Sequence, residues 1–146
     1  KDFSPRKQRN GYVLVQGKSS RVNLVSILPQ LEEQDVNVKV IAAISDELFQ
    51  RQPESYRNSV LPPGALLDMM VVTTGTRRVW PAQNVGPLTD EYSLTSDWEN
   101  EWLTGGTEAD VISEAHLDAD SILNGIKRFA SDHDDRISRQ RNMLAG

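Results

Sequence analysis

Apolar positions in this chain fall into short runs separated by turn residues. Tyr12-Val-Leu-Val-Gln16, bounded by Gly11 and Gly17, has the length and flanks of a β-strand. Val36 to Ile44, VNVKVIAAI, is almost continuously apolar, as expected of a strand covered on both faces. Leu66 to Thr73 repeats that character. Arg21 to Leu28 is ambiguous. Its β-branched and short polar residues favour a strand over 21–27. As a helix it would align Leu24, Leu28 and Leu31 but place Pro29 in the interior. The strand reading has a consequence. A parallel crossover needs about a dozen residues, and only Leu28 to Asp35 lies between 21–27 and the next strand. Either the connection is unusual or residues are absent near Leu28-Pro29.

Helical signals fill the remainder. Asp46 can cap a helix over Glu47–Arg51 with Leu48 facing inward. Pro53 opens another turn, with Tyr56 and Val60 on one side, and Pro62-Pro63-Gly64 stops it. Glu91 to Thr95 suits a short last strand. Thr107 followed by Asp110 is a capping signal for a helix ending near His116. Asp118 or Asp120 caps a final helix whose buried stripe is Ile122, Ile126, Phe129 and Ala130. Strands alternating with helical pieces, and helices at the end, indicate a layered α/β domain. We expect a linker at 1–10, the domain at 11–131 and a polar C-terminal tail at 132–146. The absence of an initiator Met suggests a piece of something longer.

Composition narrows this picture. With 146 residues, 38% apolar and 25% charged, the chain suits a single soluble domain. No apolar run approaches the ~20 residues that span a bilayer, and no secretory signal is evident, so no membrane partner is expected. The lack of cysteine fits a cytoplasmic location. Net charge is −5, and no Lys or Arg stands between Arg78 and Lys127, an interval with ten acids. Such a block repels phosphate backbones and argues against nucleic acid as a partner; a solvated face accounts for it.

Candidate chemistry is sparse. Gly17-Lys18-Ser19 matches the end of a phosphate-binding loop, but the position needing the first Gly holds Tyr12. There is no G-x-S-x-G elbow and no G-x-G-x-x-G. His116 and His133 lack metal-ligand spacing. No carboxylate pair sits in an apolar setting that would raise a pKa for acid catalysis. We therefore expect no catalytic, cofactor-binding or metal-ligating residue in this chain. One candidate remains: Thr73, Thr74, Gly75, Thr76 and Arg77, where a strand feeds a turn able to offer N–H groups and a guanidinium to an anion. Trp98 and Trp102, four apart, share a helical face and suit core or interface.

Gly11-Tyr12-Val13-Leu14 with Leu24-Val25-Ser26-Ile27 resembles the start of the C-terminal domain of transketolases. Ile44-Ser45-Asp46-Glu47-Leu48-Phe49, Gln52 and Tyr56-Arg57-Asn58-Ser59-Val60-Leu61-Pro62 resemble that domain's most recognisable stretch. Val71-Val72 through Gly75 and Trp80, and Gly105-Gly106-Thr107 with the helices of 108–130, are similar to its later parts. The resemblance implies a three-layer α/β/α sandwich on a five-stranded mixed, mostly parallel sheet of order 1-3-2-4-5. The first strand would be antiparallel and Val36–Ile44 the third. It implies a homodimeric enzyme moving two-carbon ketol units between sugar phosphates with thiamine diphosphate and a divalent metal. The cofactor would be held by preceding domains, and this domain would serve structure and assembly. The alternative is a stand-alone module binding a phosphorylated metabolite at the loop after the fourth strand. Three departures stand out: Leu28-Pro29-Gln30 where the family has a Gly-Ser-Glu turn and a crossover helix, Thr73 where it has an acid, and the tryptophan-rich insert 96–104.

Overall fold

The computed structural model describes residues 1–76, 90–96, 103 and 105–145. Three strands form its sheet: β1 (Tyr12–Gln16), β2 (Lys39–Ala42) and β3 (Met69–Thr73), in the order β2-β1-β3. Both pairings are parallel, with Leu14 opposite Ile41 on one side and Val71 on the other. The helices are α1 (Lys18–Ser26), α2 (Leu28–Glu33), α3 (Asp46–Gln50), α4 (Glu54–Val60), α5 (Glu108–Glu114), α6 (Ala119–Ser131) and α7 (His133–Ala145). Short 3₁₀ turns occupy Pro63–Asp68 and Asp90–Tyr92.

Period-two alternation sorts the strand side chains into two cores. Val13, Val15, Met70 and Val72 face a large cluster with Leu24, Ile27 and Leu31 of the α1–α2 region and Ile122, Ile126 and Phe129 of α6. Leu14, Met69 and Val71 face the other way, onto Tyr12, Ile41, Leu61 and Leu66. The second layer is thin, because α3 and α4 bury no residue.

The expected strand at 21–27 is instead helix α1, and the expected five-stranded sheet has three strands among the described residues. The two corrections have one origin. Pro29 lies in the first turn of α2, where a missing N–H costs nothing. The helix is interrupted at Ile27 and restarts at Leu28, so no proline sits in a helix interior. Lys18 to Glu33 is thus itself the crossover from β1 to β2, and no residue need be absent near Leu28-Pro29. Burial of Leu24, Ile27 and Leu31 against the sheet outweighs the strand preference of Val22 and Val25.

The strand order changes accordingly. Tyr12–Gln16 is not an antiparallel edge but the central strand, parallel to both neighbours. Val36–Ile44 contributes only Lys39–Ala42, half-buried or exposed along its length rather than covered on both faces. Outside the three strands, single-residue pairs extend the ladder. Leu94 bridges Val72 in parallel, giving its carbonyl to Thr73 N–H and its N–H to Val71. At the opposite edge Lys1 exchanges both backbone hydrogen bonds with Val40, while Ser4 lies against Asn37. That descending register is antiparallel. Among the described residues, the two outer lanes expected of a five-stranded sheet are therefore present only as these contacts.

Helix starts follow local chemistry. Thr107 and Asp110 form a reciprocal capping box on α5. Asp118 caps α6 through Ser121 N–H. The cap of α3 is Ser45, not Asp46, its hydroxyl accepting from Leu48 N–H. Leu48, expected inward, is 59% exposed.

Candidate functional site

Parallel strands bring their carboxyl ends to one edge of the sheet. From β1 the chain turns to one side to form β2, then crosses to the other side to form β3. The ends of β1 and β3 thus flank a topological switch point, where open α/β sheets leave a crevice. Gly17 and Thr73 to Thr76 meet there.

Gly17 has φ 94°, a left-handed conformation that suits glycine. A Cβ on it would collide with the Thr74 hydroxyl, so the turns after β1 and β3 touch. The Thr73 hydroxyl donates to Gln16 Oε1 at 3.2 Å and accepts from Gly75 N–H at 3.0 Å, pinning both turns. Arg21 directs its backbone N–H and its Nε to Gly17 O, at 3.3 and 3.1 Å. Helix α1 begins here with no side-chain cap and no acid in its first turn. Lys18 is exposed, and Ser20 is fully buried with no hydrogen-bond partner for its Oγ.

The structure thus brings together Thr73, Thr74, Gly75 and Thr76, while Arg77 lies outside the described residues, as do Trp80, Trp98 and Trp102. Thr73 is buried and its hydroxyl is engaged within the turns; Thr74 and Thr76 are exposed. Sequence reasoning missed the α1 side of this crevice. The Gly17-Lys18-Ser19 signal was visible, but reading 21–27 as a strand left no helix behind it. The turn at Gly17 is followed by the crossover helix α1, which begins at Lys18.

The amino end of the sheet is closed by a polar cluster. Arg136 on α7 is 0% exposed. It donates to Asp68 Oδ1 from Nε at 3.1 Å and from Nη2 at 2.7 Å, to Asn10 O at 3.2 Å and to Phe129 O. Its guanidinium lies 3.6 Å from the Phe129 ring centroid. His133 Nε2 approaches the other Asp68 oxygen at 3.4 Å. Tyr92 donates its hydroxyl to Asp132, and burial followed by that bond raises its pKa. The signal for Arg136 was the stripe spacing itself: 122, 126, 129, 133 and 136 continue one helical face past Ser131. Among the described residues, no three His, Cys, Asp or Glu side chains converge as metal ligands.

An open parallel sheet, a crossover helix lying on its larger core and a switch-point crevice define an α/β domain of the kind that carries sites at its strand ends. Residues 6–97 match the family model described as transketolase-like TK C-terminal domain, and the chain belongs to that family. The fold is shared with transketolase from Leishmania mexicana, at TM-score 0.62 and 17% identity, over 90% of this chain and 18% of that one. Two structures of transketolase from Pichia stipitis, one a mutant in complex with xylulose 5-phosphate and one in complex with sedoheptulose 7-phosphate, give TM-score 0.63 at 17% identity with the same coverage. The chain therefore spans about a fifth of the length of these solved relatives. No curated protein matches it.

Proposed function

We propose that this chain is the C-terminal domain of a transketolase-type enzyme, with a structural and assembly role. The whole enzyme transfers two-carbon ketol units between sugar phosphates as a cytoplasmic homodimer, using thiamine diphosphate and a divalent metal. The observation that carries this reading is the match to the transketolase-like TK C-terminal domain model together with the coverage: 90% of this chain corresponds to 18% of a solved relative. No helix among the described residues is long and apolar enough to cross a membrane. The described residues present no metal-ligand set, so no step of the cofactor chemistry is assigned to them.

An assembly role is supported by one face of the domain. Ile44, Leu48 and Tyr56 are 79, 59 and 52% exposed, beside β2 and on helices α3 and α4, which bury nothing. Exposed apolar side chains on such elements are available to a partner, and the thiamine-binding regions of the same enzyme are the partner this reading supplies. The test combines this chain with a polypeptide carrying those regions. Co-sedimentation and ketol transfer that depends on adding the chain are expected. Absence of both association and activity, with each partner folded, would sink the reading.

A further inference from the structure

We draw no further inference here: the strongest candidate, the exposed apolar patch of Ile44, Leu48 and Tyr56 beside β2 and on α3 and α4, belongs to the assembly role already proposed, and nothing in the structure shows what covers it.

Discussion

Arg136 shows how much a single residue can carry in a domain of this size. Its charge is fully buried, paired with Asp68 and stacked on Phe129. Breaking a buried pair by removing one partner leaves the other uncompensated, at about 3–5 kcal/mol. Arg136→Ala should therefore lower the urea midpoint by that equivalent. Arg136→Lys should recover little, because one ammonium cannot serve Asp68, Asn10 and Phe129 in a planar fork. A variant with wild-type stability would show the pair to be incidental. Gly17 makes a second residue-scale claim. Gly17→Ala places a Cβ at φ 94° and against Thr74, with an expected loss of roughly 1–3 kcal/mol. Adding Thr74→Ala should restore only the steric share, because the backbone strain remains. Full recovery in the double variant would assign the whole cost to the collision.

At the scale of elements, α2 and α6 give the sharpest tests. If Pro29 stands in the first turn of a helix, Pro29→Ala changes stability by less than about 1 kcal/mol. If Pro29 interrupted a helix interior, the same change would stabilise by about 3 kcal/mol. Thermal melts separate these outcomes. For α6, burial of the Asp118 carboxyl raises its pKa, but hydrogen bonds from the Ser121 hydroxyl and N–H outweigh it, and the net shift is below the ordinary 3.8. The folded-state value is thus below the unfolded one. The cap's ionic contribution is present above that ordinary value and is lost as pH falls through the folded-state pKa. Asp118→Asn keeps a capping side chain but removes its titration. Its stability should fall less steeply than wild type below pH 3.8, and parallel acid limbs would refute the coupling.

The whole molecule is asymmetric in two directions. The α1–α2 and α6 side of the sheet holds the larger core, while the α3–α4 side is thin and shows Ile44, Leu48 and Tyr56 to solvent. Ile44→Glu with Leu48→Glu should leave the melting temperature nearly unchanged, since neither side chain is buried here. On the proposed assembly role, the same pair should abolish association with the thiamine-binding regions, read by sedimentation. Retained association would place the interface elsewhere. The other asymmetry runs along the strands. The amino end is sealed by Asp68, Asn10 and Arg136, and at the carboxyl end α1 begins without a side-chain cap.

What the chain alone determined was local. Apolar runs placed β1 and, inside the longer stretches 36–44 and 66–73, all of β2 and β3, because strand character is written in adjacent side chains. The caps of α5 and α6 and the Ile122–Ala130 stripe were equally legible, since they depend on spacings of three and four. Tertiary structure decided the rest. Residues 21–27 carry short polar and β-branched side chains that locally favour a strand, yet packing Leu24 and Ile27 on the sheet makes them helical. The central position of Tyr12–Gln16 depends on both β2 and β3, neither adjacent to it in sequence. Arg136 finds Asp68 across 68 positions, and Thr73 finds Gln16 across 57. Spacing along a chain encodes neighbours within a few residues; which distant groups share a low-dielectric interior is settled only when the sheet closes around them.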